Sequence, residues 1–231
     1  MNRLENIDHL FDFLSNCVSS NRKLIFRGLR DKSYALLPSI GRVKTPEGDA
    51  FSCVMEDQLL QLFKQKAYSL VSEYKDNKLA LLSVAHHHGL PTRLMNWTKN
   101  PLVAIYFACS NDLKSKPAEE DSILYTFEYD GNIDQALDFD PFNIESVKLY
   151  NPQYWNPRIA AQDGIFTVHP DPLTEFSVQG LEKVAIACHL NRDIKHALNT
   201  LGVNHAMLFP DLDGISDHIK WLRTQRSNFQ A

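Results

Sequence analysis

The sequence predicts a single α+β domain, and three observations carry the prediction. Helical periodicities crowd the first half of the chain, and short alternating or apolar segments bounded by turn residues recur in the second. No repeat or low-complexity stretch interrupts them. At 231 residues the chain is long enough to bury a full core as one unit, taken as 1–231.

Taken in order, Ile7, Leu10, Phe11, Leu14 and Val18 recur at helical spacing and predict an amphipathic helix at about 6–18, inside an N-terminal segment 1–19. KLIFRGL (23–29) is a short apolar run and predicts a strand ending at Arg27-Gly28. A loop rich in Pro and Gly follows over 31–50. Leu59, Phe63, Ala67, Leu70, Val71 and Tyr74 share one stripe and predict a helix from about 53 to 75. Asn77 is placed to cap a helix that ends near His88, where Gly89 stops it. Asn100-Pro101 is a cap and a first-turn proline for a helix to about 110. SILYTFEYDGN (122–132) alternates and ends in Asp-Gly, a strand and a turn, and GIFTVH (164–169) and KVAIACHL (183–190) predict two more strands. Asn191 then caps a helix closed by Gly202, and a last helix spans about Ser216 to Arg226.

Composition narrows the function classes. The longest apolar run, PLVAIYFAC at 101–109, is too short to span a bilayer, and the first residues lack a secretory apolar core, so the expected place is the cytoplasm, away from membranes. The four cysteines (17, 53, 109, 188) form no C-x-x-C pair, which argues against a zinc site or a disulfide framework. Charge is uneven: seven Lys/Arg against Asp31 alone over 21–44, then ten acids against two lysines over 112–145. That asymmetry points either to an anion-binding face or to two solvated surfaces.

The densest stretch is HHHGLPTRLMNWTKNPL (86–102). Successive helical residues differ by about 100° in direction, so His86, His87 and His88 cannot share one metal ion. No H-E-x-x-H is present, and the Asp211/Asp213 pair in FPDLDGI lacks the later ligands of a calcium loop, so no metal is expected. Glycines occur singly, with neither a P-loop nor a G-x-G-x-x-G, and there is no G-x-S-x-G elbow. Arginine beside hydroxyl and aromatic residues remains. Arg27, at a strand end, suits a phosphate or diphosphate. Arg93 and Trp97, four apart in an extended segment beside Thr92 and Thr98, share a face and are either a stacking pair for a nucleotide ring or a buried brace with a core indole. Trp97 and Tyr106, with the basic segment, also fit a non-catalytic nucleotide- or nucleic-acid-binding module.

The pieces IFRGL, HHHGLPTRLMNWTKNPLVAIYFA, AAQDGIFTVHP and LFPDLDGI, in this order over about residues 20–220, resemble the FRG-domain family, named for Phe-Arg-Gly. The family usually has Asp where this chain has Asn96. A more distant resemblance is to ADP-ribosyltransferases, whose split sheet binds NAD without a glycine fingerprint. That resemblance implies an NAD-consuming enzyme of a toxin or phage-defence kind, acting on protein or nucleic acid. It implies that Arg27 and Gly28 end the first core strand and hold NAD. Thr92, Arg93, Asn96, Trp97 and Thr98 would frame the nicotinamide, with His87 and His88 at the edge. A late acid would touch the ribose. Gln162 resembles the Gln of a Gln-x-Glu pattern, but Gly164 stands where Glu belongs, leaving Asp163 and Glu182 as alternatives.

Overall fold

The computed structural model describes residues 3–50, 53–74, 76–110, 120–130, 133–135, 139–153 and 156–224. Its centre is one mixed eight-stranded sheet in the order β1-β8-β4-β2-β3-β7-β6-β5. The strands are β1 (Arg3–Leu4), β2 (Leu24–Leu29), β3 (Leu94–Thr98), β4 (Ser122–Glu128), β5 (Asp134–Gln135), β6 (Lys148–Tyr150), β7 (Gly164–Val168) and β8 (Leu181–Ile186). The outermost pairs, β1 with β8 and β5 with β6, are parallel, and the rest are antiparallel.

Alternation sorts the strand side chains. On one face Phe26 and Leu124 pack with α5 (Pro101–Ala108), α7 (Asn191–Thr200), α8 (His205–Leu208) and the inner stripe of α1 (Ile7–Ser19). On the same face Leu94, Phe166 and Val168 pack with α2 (Cys53–Lys66), α3 (Tyr68–Val71) and α4 (Lys78–His87). The opposite face holds Ile25, Met95, Trp97, Ile165 and Phe127, closed over by Leu36 and Phe176 from loops. Gly28 lies against α5: a Cβ there would sit 2.0 Å from the Ala104 carbonyl oxygen, so only glycine lets strand and helix approach this closely.

The caps expected at Asn77 and Asn100 form, each side-chain oxygen accepting a backbone N–H of the first helical turn, and Asn6 does the same for α1. Other expectations shift. The helix expected at 53–75 breaks at Ala67, and a short α3 and a 3-10 turn over Ser72–Tyr74 follow. Residue 75 lies outside the described residues. Asn191 caps nothing: a 3-10 turn over Cys188–Leu190 runs straight into α7, so Asn191 is already helical and its buried amide has no partner. The last helix, α9 (Leu212–Thr224), starts earlier than expected because Asp211 accepts the Gly214 N–H at 2.7 Å, and 225–226 lie outside the described residues. Helices do fall mostly in the first half and strands mostly in the second, with exceptions at both ends. β2 and β3 sit at the centre of the sheet, and α7 to α9 come last in sequence. Among the described residues no helix is long and apolar enough to cross a membrane.

Candidate functional site

The sheet has a seam. β2 is paired with β4 at six positions and β3 with β7 at five, but β2 and β3 meet at one, Phe26 with Thr98. Beyond it they part, and the Arg27 guanidinium bridges the gap, donating from Nη1 to the Asn96 carbonyl at 2.6 Å. A cavity of about 470 Å³ opens at this seam, lined from β2 and its following loop, from Asn96 to Thr98, from α5, from Gln162, and from α7 to α9.

Arginines dominate one group of lining residues: Arg27, Arg30 and Arg42. Burial and the Arg42 charge push the Arg27 guanidinium down to about 10, so it stays protonated at neutral pH but is poorly solvated. Its Nε is buried without a hydrogen-bond partner, and no carboxylate pairs with it among the described residues. A bound anion would supply both missing interactions. This part of the basic segment thus faces the cavity, whereas Arg22, Lys23 and Lys32 pair with Glu182, Asp130 and Glu120.

Asn96 projects from the middle of β3 and is held by His86, the last-turn residue of α4. His86 Nδ1 lies 2.6 Å from Thr92 Oγ1, and its Nε2 meets Asn96 Oδ1. Burial drives this imidazole down to about 4, so it is neutral at physiological pH. Thr98 Oγ1 donates to the Gln162 carbonyl at 2.6 Å, and Lys99 N–H donates to the Asp163 carbonyl at 3.1 Å. These two bonds lace the turn before β7 to the end of β3. Asp163 has φ 45° there, a left-handed conformation that Asp tolerates better than most residues.

Of the residues singled out in the sequence, Arg27, Gly28, Asn96, Trp97, Thr98 and Gln162 line the cavity. Thr92 does not: it is buried behind Asn96, accepting the Leu94 N–H and meeting His86. Arg93 does not either. It is 1% exposed and ion-paired to Glu56 at 2.9 Å, and it donates to the carbonyl oxygens of Pro141 and His169. Glu56 also accepts the Arg93 backbone N–H at 2.6 Å. Trp97 touches the cavity, but its indole is in the core, donating to Thr167 Oγ1 and packed between Phe127 and Phe176. Arg93 and Trp97 do share a face, and that face is interior. His87 is half-buried and His88 exposed at the end of α4, neither lining the cavity; it is His86 that reaches β3. Asp163 sits at the turn without lining the cavity. Glu182 is exposed on β8, two strands from β2, paired with Arg22 at 2.9 Å.

Sequence reading passed over a second group of lining residues: Lys195, His205, Asp217, His218 and Trp221, with Tyr106 singled out only for stacking. Tyr106 O lies 3.0 Å from His205 Nδ1, and His205 Nε2 lies 3.9 Å from Asp217. Only the fold brings these together; the Asn204 side chain that caps α8 is the one local signal, and it speaks to structure alone. No cluster of potential metal ligands occurs among the described residues.

No curated protein and no solved structure matches the chain. The FRG domain family matches residues 22–117, the stretch from β2 through α5 that supplies Arg27, Asn96 and Thr98 and stops short of Gln162 and α7 to α9. Over that stretch, under half of its length, the chain is similar to the FRG domain.

Proposed function

We propose that the cavity binds NAD and that the protein is an ADP-ribosyltransferase-like enzyme. The observation that carries this reading is the seam. The first core strand carries Arg27 two residues before its end, the second brings Asn96 and Thr98 across from it, and the turn bearing Gln162 leads into β7 beside that second strand. This is the order of elements that the resemblance implies. The residues also fit the ligand: Arg27, Arg30 and Arg42 supply the fixed positive charge a diphosphate needs, and the unpartnered Arg27 Nε supplies a waiting donor.

When bound, NAD would bring a ribosyl group and a nicotinamide leaving group. Cleavage of the bond between them builds positive charge on the ribose, so groups that hold the diphosphate and present oxygen dipoles to C1′ act mainly in the transition state. Arg27 positions the diphosphate. Asn96, fixed by His86, and Gln162, whose amide donates to the Leu208 carbonyl at 3.0 Å, hold polar groups at the seam. Asp163 stands one residue from Gln162 on the same turn. An acceptor on protein or nucleic acid completes the transfer.

One feature favours a second reading, a non-catalytic nucleotide-binding module: no glutamate lines the cavity among the described residues, and its one acid, Asp217, comes from α9. Titration calorimetry with ADP-ribose and NAD tests the site, and release of nicotinamide separates the two readings. The expected result is binding by the wild type and at least tenfold weaker binding by Arg27→Ala. No heat at millimolar ligand removes both readings. Binding without nicotinamide release leaves the module.

A further inference from the structure

The cavity has two chemically different groups of lining residues, and the proposed NAD contacts use only one. The other is Tyr106 on α5, Lys195 on α7, His205 on α8, and Asp217, His218 and Trp221 on α9. These are linked to one another. Tyr106 O meets His205 Nδ1 at 3.0 Å, and the His205 ring stacks on Phe209 with centroids 4.4 Å apart. The Lys195 ammonium lies 5.2 Å from the Tyr106 ring centre, and His218 stacks on Trp221. Asp217 lies 3.9 Å from His205 Nε2.

Resting on the ADP-ribosyl transfer reading, we infer that His205 is the base that takes the proton of the acceptor nucleophile, with Tyr106 and Asp217 as its positioning residues. It follows that the acceptor is a group with a proton to shed, a hydroxyl or an N–H rather than a carboxylate.

The geometry is that of a base held through one nitrogen, with the other free to take a proton and a carboxylate 3.9 Å from it to face the resulting charge. Tyr106 itself is not the nucleophile: it is 6% exposed, and burial pushes its hydroxyl up to about 12. It fixes the ring through Nδ1, leaving Nε2 on the side of Asp217 and the cavity. In the step, a bond forms between the acceptor O or N and ribose C1′ as the C1′–N bond to nicotinamide breaks. Nicotinamide leaves neutral with the bonding pair, and the acceptor's proton passes to His205, whose new charge Asp217 faces. A carboxylate acceptor would need no such device, since it attacks without losing a proton. The groups facing His205 are Tyr106, Lys195, Asp211, Asp217 and His218. Burial lowers its pKa below the ordinary 6.5, the two acids pull it up, and Lys195 and His218 push it down. The base is therefore neutral and competent at neutral pH, and fails only on the acid side.

The test uses water as the proton-shedding acceptor: the full chain with NAD, nicotinamide release followed from pH 5 to 8.5, and ADP-ribose affinity measured in parallel as the check on folding and on the nucleotide site. His205→Gln is expected to cut release by roughly 100-fold, in the range of lost general-base catalysis, with ADP-ribose affinity within twofold of wild type and the acid limb below pH 6.5 abolished. Tyr106→Phe is expected to keep the limb and lower the rate less. A His205→Gln rate within twofold of wild type, or an unchanged limb, overturns the proposal. So does loss of ADP-ribose binding in a folded His205→Gln, which would make His205 part of the nucleotide site. Wild type that binds NAD without releasing nicotinamide overturns it too and leaves only the binding module. Wild type that binds neither ligand ends the reading beneath it.

Discussion

Two arginines on adjacent central strands divide the molecule's polar chemistry. Arg93, entering β3, has a counter-charge: Glu56 takes its Nε and its backbone N–H, carbonyl oxygens take Nη1, the Phe142 ring lies 4.5 Å from it, and Nη2 alone is left without a hydrogen-bond partner. Arg27, on β2, has one backbone carbonyl, a buried Nε with nothing to donate to, and a second guanidinium for a neighbour. Burial and one unpartnered nitrogen are common to both; a paired carboxylate separates them. A buried cation tied to a buried carboxylate is a brace, and a desolvated cation lacking such a counter-charge beside a cavity is poised for an anion.

The largest expected effect breaks the brace. Arg93→Met leaves Glu56 buried among apolar side chains, where desolvation already raises its pKa against the pull of Arg93. Urea unfolding at pH 7 should show a loss of about 3–5 kcal/mol, the usual cost of removing one partner of a buried pair. A loss under about 1 kcal/mol would mean that the pair does not hold the entry to β3. Pairing the change with Glu56→Gln should recover part of the loss, because no carboxylate is then stranded.

Next in size is a pH effect on the same framework. His86 and His169 are pushed down by burial to about 4 and about 3, against 6.5 for an exposed imidazole. The unfolded chain therefore binds these protons first as pH falls. Stability is full above about pH 6.5 and drains away through pH 4, by up to about 3 kcal/mol per histidine. His169 is tied to Thr167, which also accepts from Trp97, so the loss reaches the core face of β3. Urea midpoints at pH 7 and pH 5 measure it; equal midpoints would show that neither ring stays neutral in the fold.

How much of this was legible beforehand follows from the same contrast. The caps at Asn77 and Asn100, the stop at Gly89 and the strands at 24–29, 122–128 and 164–168 were readable because each depends on residues within one turn or one alternation. The joint interior face of Arg93 and Trp97 was readable from period-two spacing, but which side faced solvent was not, since Glu56 and Phe176 arrive from distant segments. His86 was passed over for His87 and His88 because one position around a helix end decides which imidazole meets β3. The His205 cluster had no local signature, since α5, α7, α8 and α9 each contribute single residues.

A smaller stability effect sharpens the other side of the comparison. Arg27→Ala, expected to weaken ADP-ribose binding at least tenfold, should move unfolding free energy by no more than about 1 kcal/mol, and in either direction. The substitution forfeits one hydrogen bond to Asn96 but also relieves a buried unpaired donor. A loss comparable to that of Arg93→Met would make Arg27 a second brace holding the seam shut, and the contrast between the two strands would collapse.

The smallest expected effect concerns the late acids. Glu182 pairs with Arg22 where both side chains are largely exposed, at 58% and 41%, and surface pairs of this kind contribute about 0–1 kcal/mol. Glu182→Gln should therefore change neither stability by more than that nor ADP-ribose affinity. Its position on β8, separated from β2 by β4, gives it no path to the seam. If Glu182→Gln nevertheless abolished nicotinamide release with folding intact, the reacting centre would lie on the β4–β8 side, and the division between the braced and the open arginine would be the wrong place to look for chemistry. If it is silent, as its ion pair implies, the acids still in play are Asp163, one residue from the cavity-lining Gln162, and Asp217 across from His205. Asp163→Asn and Asp217→Asn then separate a role at the ribose, where release falls at every pH, from a role in holding the base, where the loss is smaller and the acid limb moves down because the carboxylate that raises the His205 pKa is gone.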